Sequence, residues 1–160
     1  MENIEGFYLS DFELVLNQMG IRSHNVYVVS ILNGHIDYRV SGIVCSDSSA
    51  IRVTGCAIKH AAGTSGNAFS STNCKDIVVS NSSFYGPGDG ANLNANAVAI
   101  GEYMDEPSEM TIIANCTFQH FPDQGIWLRT GTSANRIVNN VYTNIGDLNV
   151  FDQGLDNVVD

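Results

Sequence analysis

The stretch Ile51-Arg52-Val53-Thr54-Gly55-Cys56-Ala57-Ile58 recurs along the chain, and no other feature constrains the fold as tightly. Copies begin at Ile77, Thr111 and Arg136, with two N-terminal copies read at Ile4–Leu9 and Val26–Ile31. Inside each copy a small residue or Asn interrupts an apolar alternation. It falls at Gly6, Ser30, Gly55, Asn81, Asn115 and Asn140, so successive gaps are 24, 25, 26, 34 and 25 residues. The alternation is a strand signal. A second strand stands about ten residues upstream of each copy, as in Gly42-Ile43-Val44-Cys45, Asn67-Ala68-Phe69-Ser70, Ala97-Val98-Ala99-Ile100 and Gly125-Ile126-Trp127-Leu128. Short strands at this period, with no helical pattern, imply stacked coils. The Leu-x-x-Leu-x-Leu signature of leucine-rich repeats is missing.

The expected fold is therefore all-β, a parallel β-helix solenoid of about six coils filling residues 1–160 as one domain. Each coil lies over its predecessor at about 4.8 Å. The register predicts an inner aliphatic column of Ile4, Val28, Val53, Val79, Ile113 and Val138. A second inner column reads Phe7, Ile31, Cys56, Ser82, Cys116 and Val141, and a third Leu9, Asn33, Ile58, Phe84, Phe118 and Thr143. The Gly-or-Asn positions form a corner, where left-handed backbone is tolerated and stacked amides can hydrogen-bond between coils. That placement turns the Asn81 and Asn115 glycosylation sequons into ladder positions. Neither terminus carries an amphipathic capping helix, so both ends are expected to be uncapped and the chain a segment of a longer β-helix.

Composition removes several classes of partner. Lys plus Arg is 7 against 17 Asp plus Glu, a formal net charge of −10. Nucleic acid and anionic membrane both need clustered cations, so neither is an expected partner. No apolar run approaches the 18 residues of a membrane span. The N-terminus lacks the basic start and apolar core of a signal peptide. The four cysteines form no CxxC pair, which argues against zinc. Cys56 and Cys116 share a column as packing residues, and a reducing site of synthesis fits.

Segments such as Gly42 to Ile58 resemble the right-handed parallel β-helix repeats of the pectate-lyase-like superfamily. That superfamily includes pectin and alginate lyases, polygalacturonases, mannuronan epimerases and phage tailspikes. The resemblance implies a carbohydrate-directed module that binds or depolymerises polysaccharide, as lyase or glycoside hydrolase, in a parent that is extracellular or virion-associated. It covers essentially the whole chain but is structural in origin. The paired-Asp and Gly-His-Gly motifs of polygalacturonases are absent, as is the Asp-Pro-His signature of the epimerases. No family's catalytic residues carry over.

Candidate chemistry sits where the chain departs from the repeat. The long gap holds Gly86-Pro87-Gly88-Asp89-Gly90 and Glu102-Tyr103-Met104-Asp105-Glu106. His60, Gly86 and His120 fall in one column. His120, Asp123 and Asp89 suit an acid–base set, with Glu102 as a supporting carboxylate. The same carboxylates suit Ca²⁺, although no cofactor is required. Outward positions on the upstream strand are expected to align Val44, Phe69, Ala99 and Trp127, with Arg129 two residues on. Trp127, Phe69, Tyr103, Arg129 and His60 are thus candidate substrate-binding residues, aromatics for sugar rings and Arg129 for a carboxylate. His35 and Asp37 form a further polar pair. The alternative function is a non-catalytic structural segment, either of a homotrimeric fibre or of an excised solenoid.

Overall fold

The computed structural model describes residues 6–15, 18–61, 65–88, 94–101 and 107–160. Among them all regular structure is strand. The first coil holds β1 (Phe7–Ser10), β2 (Glu13–Val15) and β3 (Met19–His24). The second holds β4 (Val29–Leu32), β5 (His35–Tyr38) and β6 (Ser41–Ser46), and the third β7 (Ser49–Thr54), β8 (Ala57–His60) and β9 (Phe69–Thr72). Next come β10 (Lys75–Ser80), β11 (Ser83–Tyr85) and β12 (Val98–Ile100), then β13 (Glu109–Ala114), β14 (Thr117–Gln119) and β15 (Ile126–Leu128). The sixth coil holds β16 (Arg136–Val138), β17 (Val141–Thr143) and β18 (Val150–Asp152), and β19 (Val158–Val159) opens a seventh. First strands of all coils pair into one sheet, second strands into another, third strands into a third. Every pairing is parallel. The chain is an all-β solenoid of about six turns.

One spacing rule runs through all six coils. Taking Ile51 as the reference, its partners in register are Phe7, Val29, Ile77, Thr111 and Asn135. Two residues on lies the inner column Leu9, Ile31, Val53, Val79, Ile113 and Ile137. Four on lies a left-handed corner: Asp11, Asn33, Gly55, Asn81, Asn115 and Asn139 all have φ between 49° and 67°. Seven on lies Leu14, Ile36, Ile58, Phe84, Phe118 and Tyr142. The corner turns the chain by one αL residue, which Gly adopts without a Cβ penalty and Asn and Asp tolerate better than other residues.

This register corrects the sequence alignment at both ends. Copies at Ile51, Ile77 and Thr111 fall as expected. The second copy slips by three, since Asn33 and not Ser30 is the corner, and the first by five, to Asp11. Val28 is outside at 37% exposure while Val29 and Ile31 are fully buried. The run Val26 to Leu32 offers an apolar residue at nearly every position, so alternation alone cannot fix which side faces in. The last copy slips by one. Asn139 is the corner and Ile137, not Val138, is inside, which carries Asn135 into the core at 1% exposure.

Amide stacking also occurs, but elsewhere than expected. Asn81 and Asn115 are exposed, and of the expected corner residues Asn140 bonds to the preceding coil, its Nδ2 donating to Ile113 O at 2.9 Å; Asn33, which the structure puts at the corner, donates to Asp11 Oδ1 at 3.3 Å. The ladder forms instead where the chain enters the third sheet. Asn96 Nδ2 donates to Asn67 Oδ1 (3.1 Å), Gln124 N to Asn96 Oδ1 (3.1 Å), and Gln124 Nε2 to Asp147 Oδ2 (3.0 Å). Just past the αL corner a short polar side chain accepts a stray backbone N–H from the coil before it. Ser82 Oγ takes Cys56 N (3.1 Å) and Asn140 Oδ1 takes Cys116 N (2.9 Å). All four cysteines are buried and free. Burial pushes the Cys45 thiol up to about 12 and those of Cys74 and Cys116 to about 11, so they stay protonated packing groups.

Candidate functional site

The coils differ chiefly in how they travel from the second sheet to the third. The connections are 39–40, 61–68, 86–97, 120–125 and 144–149. Where the long ones leave the second sheet, the surface opens into a groove of about 490 Å³. Asp37, Lys59, His60, Tyr85, Gly86 and His120 line it. Asp37, Lys59 and Tyr85 stand in register on β5, β8 and β11, facing outward, and therefore repeat at one strand spacing along the solenoid axis. Gly86 is required at its place. A Cβ there would collide with the carbonyl of His120 on the next coil. The backbone is held close by Gly86 N donating to Gln119 O at 2.7 Å.

The polar groups of the groove are individually oriented. His35 Nε2 lies 3.1 Å from Asp37 Oδ1, so the polar pair legible in the sequence fixes the acid end of the groove. His60 is buried, and its Nδ1 lies 2.7 Å from the Ala61 carbonyl. A carbonyl only accepts, so Nδ1 carries the proton and Nε2 is an acceptor. That Nε2 is buried without a hydrogen bond, beside the edge of Tyr38 at 4.7 Å between ring centres. Burial lowers the His60 pKa, and the Ala61 hydrogen bond opposes this only in part. Between the lowered folded value and about 6.5 the unfolded chain binds more protons, so stability is full above that range and falls on acidification. The expected outcome is a lower urea midpoint at pH 5 than at pH 7.5, with the difference reduced in His60→Leu. An identical pH dependence in both proteins would remove His60 from this account.

The groove gathers some of the expected site residues and leaves others apart. His60 and His120 are together, as their common column predicts. His120 adopts left-handed backbone (φ 58°), and its Nδ1 lies 3.3 Å from Asn144 Nδ2. Asp123 does not line the groove. It sits over Asp147 of the next coil, whose backbone N donates to the Asp123 carbonyl at 3.2 Å. Desolvation first, and the Asp147 charge second, raise the Asp123 pKa, while a Gln124 hydrogen bond lowers it. Asp89, Glu102 and Tyr103 lie outside the described residues.

Trp127 and Arg129 do meet, on the outer face of the third sheet. The Arg129 guanidinium carbon lies 3.9 Å from the Trp127 ring centre, a cation–π contact. Trp127 Nε1 donates to Gln153 Oε1 at 3.0 Å. The aromatic next to it is Phe151, 6.1 Å away, and not Phe69. Phe69 pairs with Ile43 and Val98, points inward and is fully buried, so it cannot be a sugar platform. Ser70 holds the outward position. Period two makes a one-residue shift in register invert the face.

Two groove residues escaped the sequence reading, Lys59 and Tyr85. The signal was present, because a 22-residue step from Asp37 reaches Lys59 and 26 more reach Tyr85. Using it requires the correct coil lengths. Among the described residues no three His, Cys, Asp or Glu side chains converge on a point that could hold a metal ion. No described helix is long and apolar enough to cross a membrane.

A family model described as "Right handed beta helix region" matches residues 19–156. No curated protein and no solved structure matches the chain.

Proposed function

Because the chain belongs to the right handed beta helix family, whose repeat builds a scaffold and leaves chemistry to the surface it presents, we propose that it binds a polysaccharide in the groove where the second sheet ends. The observation that carries this reading is the mixed lining of the groove. A carboxylate, an ammonium group, two imidazoles and a tyrosine share one open concavity. Sugar hydroxyls need donors and acceptors together, and the apolar face of a pyranose suits an aromatic ring. Asp37, Lys59 and Tyr85 repeat along the axis at about 4.8 Å, an arrangement that suits a linear polymer. Trp127 with Arg129 offers a second aromatic and cationic contact on the adjoining sheet.

Depolymerisation is the finer form of the same proposal. His120 is then the proton-transfer group, since Asp123 stands outside the groove, and Lys59 supplies a cation two strand steps along the same groove. The first test is affinity electrophoresis against a panel of linear neutral and acidic glycans. Lys59→Ala and Tyr85→Ala are expected to weaken the bound glycan by roughly tenfold each, the scale of one lost polar or stacking contact. A panel with no binder, or variants that bind as the parent does, would overturn the reading in favour of a structural solenoid. Reducing-end and unsaturated-sugar assays on the bound glycan then separate hydrolysis from elimination, and either activity should vanish in His120→Ala.

A further inference from the structure

The outer face of the first sheet carries a second concavity, of about 330 Å³, away from the groove above. Its floor is the outward column Arg52, Val78, Ile112 and Arg136 on four consecutive coils. Its rim is unusual backbone. Asp76, Met110 and Ala134, which line it, have φ of 55°, 54° and 55°, and Ala50 on the preceding coil has φ of 50°, a left-handed residue near the start of each strand. Register skips over them where it can be followed, with Lys75 against Ser49 and Ile77 against Ile51. One such residue on each strand faces one on the next, so the kinks stack without shifting the register, and such left-handed backbone is uncommon for Ala and Met. Their effect is a trough beside the outward column. Met110 and Ile112 are 45% and 41% exposed within it.

Two of the chain's 7 basic residues close the ends of this trough. Arg52 is fixed in place, its Nη1 donating to the carbonyls of Ile51 (2.9 Å) and Asp76 (2.7 Å). That leaves the Nε and Nη2 edge of the guanidinium, the two-donor fork that fits a carboxylate. Arg136 makes no ion pair or side-chain hydrogen bond among the described residues. Three strand steps separate the two arginines, about 14 Å. Between them the floor is aliphatic, with no aromatic ring on which a sugar could stack.

We propose that this trough docks an extended acidic peptide segment of a partner protein, lying along the solenoid axis with carboxylates at positions i and i+4 and an aliphatic side chain at i+2. The dimensions carry the assignment. Four residues of extended chain span about 13–14 Å, and its period of two puts i, i+2 and i+4 on one face. The outer carboxylates then meet Arg52 and Arg136 while the central side chain covers Val78 and Ile112. The proposal is independent of the polysaccharide groove, and the two can fail separately.

The test is fluorescence anisotropy with labelled peptides at low and at physiological salt. The probe is Glu-Ala-Leu-Ala-Glu flanked by Gly-Ser. It is expected to bind, to weaken with salt, and to lose roughly tenfold in affinity with Arg136→Gln or Arg52→Gln. Arg136→Gln breaks no internal hydrogen bond, so its effect reads docking and not folding. Lys59→Ala should leave peptide binding unchanged. Peptides with glutamates at i and i+2, or with Ser in place of Leu, should bind at least as weakly as the variants. The proposal is overturned by no binding at low salt, by equal binding of the wrongly spaced peptide, or by a linear acidic polysaccharide that binds more tightly and depends on the same two arginines.

Discussion

Replacing Asn135 with alanine is expected to lower the free energy of unfolding by about 2–4 kcal/mol, the cost of leaving buried polar groups unpaired. Asn135 stands in the inner column that is aliphatic at Val29, Ile51 and Ile77 and turns polar at Thr111. Its Oδ1 accepts from Thr111 N at 3.0 Å. Its own N and Nδ2 both donate to Asn157 Oδ1, each at 3.0 Å. The amide thus ties three coils together where β16 is too short for the backbone ladder to do so. Thr111 is fully buried, so water cannot replace the lost acceptor. Asn135→Leu separates this account from simple filling of space. Leucine restores the bulk seen at Ile51 and Ile77 yet still orphans the Thr111 N–H. Urea unfolding should therefore place the leucine variant well below the parent as well; a leucine variant as stable as the parent would remove the hydrogen-bond explanation.

Phe118→Ala should be similarly costly, at about 3–5 kcal/mol. Phe118 is fully buried and stacked on both sides. Phe84 lies 5.0 Å away at 21°, and Tyr142 lies 5.3 Å away at 20°. In a solenoid each coil touches only its neighbours, so a cavity in one rung cannot be closed by distant side chains. Phe118→Leu retains much of the volume and loses the ring stacking, worth about 0.5–1.5 kcal/mol for each aromatic pair. The expected order of urea midpoints is parent, then leucine, then alanine. A loss below about 1 kcal/mol for alanine would mean that the coils collapse around the gap, contrary to the packing density of protein interiors.

The two substitutions mark the limits of what could be read from the chain. The Phe84–Phe118 contact follows from the repeat alone, because both copies carry the same motif with the same spacing. Asn135 does not. The apolar pattern of Arg136 to Val141 draws the alignment one residue along, since hydrophobicity prefers Val138 inside to an amide. What makes an internal amide stable is a pair of partners on other coils, and no local pattern announces them. The candidate site divides in the same way. His60 and His120 were legible as one column. Lys59 and Tyr85 join them only once the coil lengths are right, and a shift of a single residue is enough to put Phe69 on the wrong face. Asp123 is near His120 in sequence, yet the turn between them carries it to Asp147.

By itself the sequence determined the architecture: all-β, parallel, about six coils, with left-handed Gly or Asn tolerated at a recurring corner. Local backbone preference and alternation suffice for that, because each coil repeats the same short-range rule. Only the tertiary structure decided which face points inward in the first, second and last copies and at Phe69, and which further residues join His60 and His120 in a common groove. Those depend on the residues skipped between coils, here 22, 22, 26, 34 and 24 from one corner to the next. A step of one residue exchanges the two faces of a strand, so small errors in length that leave the fold intact rearrange the surface on which function depends.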